Sequence, residues 1–193
     1  ILASAIGWYG DRGDEELNET SEIGDGFLPD VCKEWESAAS AVEEAGVRTV
    51  YLRTGIVLAA TGGALGKMLL PFKMGGGGPM GGGKQWMSWI SLDDQIYAMN
   101  HLIMEESSKG VYNVTAPYPV RQRRFAKLLG SVLRRPAFIP LPRFVIKTMF
   151  GEMGERLTLD SQRVLPDRLV EEGYKFVHEN LEDGLRDSLG MWR

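Results

Sequence analysis

The sequence predicts an α/β fold, with a parallel sheet covered by helices and a small, mostly helical C-terminal lobe. Three observations predict it. Residues 1–52 read strand, helix, strand with short joints, the pattern of a parallel crossover, because parallel neighbours need a helix-length connection. The middle of the chain is punctuated by glycines at 75–78 and 81–83, between segments of regular period. From Arg134 the texture changes to short amphipathic runs joined by prolines, so 1–133 and 134–193 are expected to form two unequal parts.

The chain opens Ile1-Leu2-Ala3-Ser4-Ala5-Ile6, apolar and small, like the interior of a buried strand. Natural N-termini are rarely so buried, so sequence preceding Ile1 is expected to complete the fold. A loop with Trp8, Tyr9 and Gly10 leads into an acidic stretch ending near Gly26. Phe27, Val31, Trp35, Ala38, Ala39 and Val42 then recur at helical spacing, predicting an amphipathic helix over 27–45 buried through those residues. Gly46 is its expected stop, and the β-branched run Val47–Leu52 the next strand. Beyond the glycine-rich region a strand is expected over 86–92. A helix over 94–105 should turn Ile96, Met99, Leu102 and Ile103 inward. Residues 111–114 read as a strand, and Pro119 suits the first turn of a helix reaching Leu133. Further helices are expected over 143–150, 160–172 and 181–189.

A chain of 193 residues can bury one respectable core, and 44% hydrophobic with 25% charged residues is ordinary for a globular protein. No run approaches the roughly 18 apolar residues of a membrane span, so no membrane partner is expected. The single cysteine, Cys32, excludes an internal disulfide and fits a reducing compartment, the cytoplasm. The two histidines, His101 and His178, lie far apart in sequence, which argues against a metal centre.

The net charge of −4 is unevenly spread. Between Asp11 and Glu44 stand 12 acidic and two basic residues; from Arg121 to Lys147 stand eight basic and no acidic ones. Solvated helix faces explain this, and so does a basic wall facing a phosphorylated ligand. Nucleic acid is not expected as a partner, since the balance is acidic and no stacking-aromatic motif accompanies the basic stretch.

Several segments, in order, carry a family resemblance: Ser4-Ala5-Ile6-Gly7-Trp8-Tyr9-Gly10, Leu52-Arg53-Thr54-Gly55-Ile56, Gly62-Gly63-Ala64-Leu65, Gln85-Trp86-Met87-Ser88-Trp89-Ile90 and Arg163-Val164-Leu165-Pro166. The chain resembles the second half of the extended short-chain dehydrogenase/reductase superfamily. Within it the chain looks closest to sugar-nucleotide epimerases of the SulA-like type, loosely named after a cell-division inhibitor. The resemblance implies the C-terminal part of a Rossmann-like, doubly wound sheet and an NAD or NADP cofactor. It also implies a small-molecule, nucleotide-activated substrate and is compatible with a homo-oligomer. The glycine-rich pyrophosphate turn of such proteins is not in this sequence, because the 75–83 tract has no GxGxxG between a strand and a helix. That tract is either a surface loop or a loop beside the substrate mouth.

The resemblance implies catalysis by serine or threonine with a Tyr-x-x-x-Lys pair. Here Leu28 stands at the tyrosine position and Cys32 at the lysine position. Catalytic candidates are therefore Ser4 and, as a helix-start thiol, Cys32, whose other reading is a small core residue. Cofactor contacts are expected from Ser4, Ala5, Thr54, Gly55 and Ile56, with Arg53 structural or facing phosphate. Substrate contacts are expected from Gln85, Trp86, Trp89 and Arg121. Asp93 and Asp94 read as N-caps of the following helix.

Overall fold

The computed structural model describes residues 1–141, 146, 148 and 158–191. The main sheet contains β1 (Leu2–Ala5), β3 (Val50–Thr54) and β7 (Gly110–Val114), in the order β1-β3-β7 and all parallel. Its register pairs Ala5 with Thr54 and Thr54 with Val114, so these residues finish the three strands together.

The connection from β1 to β3 is a 3-10 turn (Ile6–Tyr9), a loop, α1 (Phe27–Ser37) and α2 (Ser40–Glu44). The single helix expected over 27–45 is thus broken in two. Its buried face also differs: Leu28, Pro29 and Cys32 are buried, whereas Phe27 is 65% and Trp35 53% exposed. The helix presses on the bare backbone of Gly7, where a Cβ would sit 3.4 Å from Leu28 Cβ and 3.5 Å from Cys32 Sγ. Gly46 follows α2 with φ +77°, a left-handed stop of the expected kind.

At Gly55 the chain changes sheets. Gly55 N–H donates to Val114 O (3.1 Å), whereas Ile56 N–H donates to Ser88 O (2.9 Å). From there β4 (Ile56–Leu58) runs parallel to β6 (Trp89–Ser91). A Cβ on Gly55 would lie 2.8 Å from both Ser88 O and Thr115 Cγ2. Gly55→Ala should therefore cost about 1–3 kcal/mol by overpacking. Urea unfolding should show a lower midpoint with an unchanged slope; a wild-type midpoint would refute the close approach.

Two cores flank these strands. In one, α3 (Gly63–Lys73), α5 (Gln122–Leu133) and α7 (Leu181–Ser188) enclose Leu58, Leu65, Phe72, Trp89, Phe125 and Leu185. In the other, α4 (Leu92–Met104) and Leu169 of α6 (Asp167–Glu171) pack with Val50, Leu52, Ile90, Tyr112 and Tyr174. The buried stripe of α4 is Asp94, Ala98 and Leu102, while Ile96 and Ile103, expected inward, are about half exposed.

Two short pairings escape the expected pattern. β5 (Trp86–Met87) pairs antiparallel with β8 (Val120–Arg121), which delays the helix expected at Pro119 to Gln122. β2 (Glu16–Leu17) pairs parallel with β9 (Arg163–Val164), inside the segment expected to be helical over 160–172. There Val164 N–H donates to Ser88 Oγ (2.8 Å) and Leu165 N–H to Leu17 O (2.8 Å), so only α6 remains helical. The helix expected over 143–150 lies, apart from Ile146 and Thr148, outside the described residues. No helix among the described residues is long and apolar enough to cross a membrane.

Candidate functional site

The sheet register gathers the expected cofactor residues in one place. Ser4 pairs with Arg53 and Ala5 with Thr54, and Gly55 and Ile56 continue from there. Ala5, Thr54, Gly55 and Ile56 are all partly exposed at the carboxyl ends of the strands, the edge where open α/β sheets bind ligands. Ser4 is buried, and its hydroxyl donates to Glu36 Oε1 (2.7 Å).

Beneath that edge lies a closed polar network. Arg53 makes a forked pair with Glu36, Nε to Oε1 and Nη2 to Oε2, both 2.9 Å. A third guanidinium nitrogen donates to Tyr9 Oη (3.2 Å), which in turn donates to Asn113 Oδ1 (2.8 Å). The Trp8 ring covers Arg53 at 3.8 Å. Arg53 is therefore committed inward and faces no phosphate. Burial pushes the Tyr9 hydroxyl up, so it remains a neutral donor.

The catalytic expectations for Ser4 and Cys32 need correction here. Ser4 holds Glu36 rather than pointing to a ligand. Cys32 is 3% exposed, its Sγ is 3.7 Å from Ala5 O, and burial pushes the thiol up. A thiol kept protonated at neutral pH is a poor nucleophile and a poor substitute for a lysine ammonium.

A pocket of about 840 Å³ opens between the acidic loop after Tyr9 and the start of α5. Asp14, Lys84, Gln85, Arg121, Arg123 and Ser161 line it, together with Gly82 and Gly83. Of the expected substrate residues, Arg121 sits in this wall. It pairs with Asp14 (2.7 Å), donates to Lys84 O and stacks on Trp86 at 4.2 Å. Arg163 covers Trp86 at 4.7 Å, and Trp86 Nε1 donates to Asp14 (3.1 Å). The Arg121 hydrogen bond holds the Asp14 carboxyl below its usual range. The acidic and basic stretches of the sequence thus meet at this wall. Gln85 lines the pocket, while its amide donates to Met80 O (3.1 Å) and Thr158 O (3.0 Å) and so braces the glycine tract.

Trp89 does not belong to the wall. Its ring is fully buried, its Nε1 donates to Tyr118 O (3.1 Å), and a Cβ on Gly184 would come within 2.9 Å of it. The expectation of substrate contact is corrected to a core role, enforced by packing. Sequence reasoning missed Asp14, Lys84 and Ser161. Lys84 had one signal, its place at the end of the glycine tract; Asp14 and Ser161 meet only through folding.

The capping expectation for Asp94 is also corrected. The cap of α4 is Ser91, whose Oγ accepts from Asp94 N–H (3.0 Å). The Asp94 carboxylate, fully buried, accepts from Ser91 Oγ (2.7 Å), Val177 N–H (2.7 Å), His178 N–H (2.9 Å) and Tyr174 Oη (3.1 Å). It fastens the segment after α6 to the start of α4.

Comparisons with known proteins bear on the fold. A family profile described as a domain of unknown function (DUF1731) matches residues 141–188. The chain is 41% identical over 186 residues to the chloroplastic epimerase family protein SDR39U1 homolog of Arabidopsis thaliana, covering 96% of this chain and 53% of that protein. The crystal structure of human epimerase family protein SDR39U1 with NADPH superimposes with a TM-score of 0.88 at 34% identity, over 97% of this chain and 64% of that one. Thermus thermophilus UDP-glucose 4-epimerase in complex with NAD has the same fold, with a TM-score of 0.73 at 19% identity, over 98% of this chain and 62% of that one. The fold is therefore α/β and Rossmann-like. The curated homologues are epimerase family proteins, of whose length this chain spans between half and two thirds.

Proposed function

We propose that the chain is the substrate-side part of an NAD(P)-dependent epimerase or dehydratase-like protein acting on a nucleotide-activated or similarly polar substrate. The observation that carries this reading is the alignment of Ala5, Thr54 and Gly55 at the carboxyl edge of a parallel sheet. The NADPH held by the human homologue supports the choice of cofactor. When bound, the cofactor supplies hydride removal and return. In this reading Thr54, Gly55 and Ile56 orient the nicotinamide end. Among the described residues there is no strand–GxGxxG–helix unit to cradle a pyrophosphate, so these residues serve the nicotinamide end in this reading.

Arg121, Arg123 and Lys84 offer cationic groups to substrate phosphate in the 840 Å³ pocket. Residues 1–133 carry the cofactor edge. The lobe from 134 onward closes the substrate side through Leu159 and Ser161.

Proton transfer is the weak point. Leu28 and Cys32 are buried on α1, so the usual tyrosine–lysine pair has no counterpart there. A second reading follows, in which the protein binds cofactor without turnover and acts as a regulator. Calorimetry of the full-length protein with NADPH and NADH, followed by assays on UDP- and dTDP-sugars, separates the two. We expect cofactor binding and turnover at least about 100-fold below that of an enzyme with an intact acid–base pair. Absence of NAD(P) binding would sink both readings. Robust cofactor-dependent epimerisation would show that another residue moves the protons.

A further inference from the structure

The Arg121 guanidinium that faces the pocket is already engaged by a carboxylate of the same chain. Asp14 Oδ1 lies 2.7 Å from Arg121 Nη1 and accepts from Trp86 Nε1 at 3.1 Å. The two donors stand on the paired strands β5 and β8, and Asp14 and Arg121 both line the 840 Å³ pocket. A guanidinium and an indole N–H converging on one anionic oxygen is a charge-assisted arrangement that a phosphate oxygen can take over. We propose that Asp14 is an internal occupant of the phosphate position on Arg121, and that a ligand phosphate binds by displacing it. Asp14 is then a specificity-determining residue of the pocket. The inference rests on the reading of that pocket as the site of a nucleotide-activated substrate.

The occupant is easily removed. The Asp14 side chain is 76% exposed, and an exposed ion pair favours the closed form by a factor of about five at most. Exposed side chains also change rotamer within nanoseconds. The backbone around Asp14 is fastened, because Gly13 O accepts from Ser161 Oγ and Glu15 is forked to Arg12 at 2.7 and 2.8 Å. Displacement is thus the swing of one side chain and not the opening of a loop. The vacated position keeps its shape. Arg121 also donates to Lys84 O and stacks on Trp86 at 4.2 Å, and its backbone is paired with Trp86 in the β5–β8 register.

The exchange sets which anions the pocket accepts. A ligand whose only charge is a carboxylate trades one carboxylate for another on Arg121 and gains little. A pyrophosphate brings more charge, which Lys84 and Arg123 in the same wall can share. Asp14 therefore lowers affinity for every ligand and lowers it decisively for weakly charged ones, which is selectivity by an unfavourable element. Asp11, the other carboxylate of the wall, accepts from the N–H groups of Gly13 (3.3 Å) and Ser161 (3.1 Å) and is committed to the loop.

The test is calorimetric titration of the full-length protein and its variants with UDP. Asp14→Asn should bind UDP about fivefold more tightly than the wild type, with a thermal midpoint within about 2 °C of it. Glu15→Gln removes the neighbouring charge, which Arg12 holds, and should leave affinity within about twofold. Arg121→Gln should weaken UDP at least about tenfold. Glucuronate, a carboxylate without phosphate, should not compete with UDP on the wild type at millimolar concentration. Equal UDP affinity in the wild type and Asp14→Asn, with Arg121→Gln still weakened, would overturn the displacement while the phosphate pocket stands. So would an equal gain in Asp14→Asn and Glu15→Gln, which is the mark of general charge repulsion. Competition by glucuronate would overturn the selectivity, and no UDP heat in any variant would overturn both the displacement and the phosphate pocket.

Discussion

Replacing Asp94 with alanine is expected to remove about 3–5 kcal/mol of folding stability, on the scale of breaking a buried charged hydrogen-bond cluster. Four donors converge on this one carboxylate, and two of them are backbone groups of Val177 and His178 that have nowhere else to turn. Asp94→Asn should lose about half as much, because one end of the amide presents N–H to groups that also donate. Burial, followed by the charge of Asp94, pushes the Tyr174 hydroxyl well up, so it stays a donor throughout the usable pH range. A double-mutant cycle of Asp94→Ala with Tyr174→Phe, read by urea unfolding, should give a coupling of about 1 kcal/mol. Loss of less than about 1 kcal/mol in the single alanine variant would show that the cluster is not a fastening.

Glu36→Ala should be comparably costly, at about 3–5 kcal/mol. The side chains of Arg53 and Glu36 are 4% and 11% exposed, so removing the carboxylate strands a guanidinium in the interior. Ser4 loses its acceptor in the same step. Restoring neutrality with Glu36→Leu and Arg53→Met together should recover much of the loss, since the pair itself adds little beyond the cost of burying it. If the double variant is no more stable than Glu36→Ala alone, the network contributes through more than charge pairing. Both variants also act next to Thr54, because Arg53 lies in the same strand and only one residue before it.

The parallel crossover was legible in the sequence because long apolar periods and the Gly46 stop are local signals. The phase of α1 was not. Phe27, Val31, Trp35 and Val42 make a convincing stripe on paper, but the face of α1 that meets Gly7 is the neighbouring stripe of Leu28 and Cys32. Periodicity reports where apolar residues lie, not how closely the partner approaches. The same limit applies to α4, whose buried stripe carries the Asp94 carboxylate beside Ala98 and Leu102. The pairing of Glu16–Leu17 with Arg163–Val164 is only two residues long on each side, too short for any period to reveal. Of the candidate site, Ala5, Thr54 and Gly55 were named through the family resemblance, and their common place at the strand ends follows from the parallel register. The pocket wall was not, because Asp14, Lys84, Arg121 and Ser161 converge from four separate segments.

That convergence sets an order of events during synthesis. The acidic loop that forms one side of the pocket emerges early, yet it is held by groups that emerge late. Arg12 N–H donates to Ser161 O (3.0 Å), Ser161 N–H to Asp11 Oδ1 (3.1 Å), and Gln162 Nε2 to both Ile6 O and Gly10 O (3.1 Å each). A ribosome can therefore deliver β1, α1 and β3 and let them pair while the loop between them still waits for its partner. Closing so long a span adds only slowly growing entropy, but it cannot begin before the far strand exists. The mouth of the pocket is consequently among the last features the nascent chain can complete, and a chain stopped short of Ser161 would carry the paired strands β1 and β3 without this wall of the pocket.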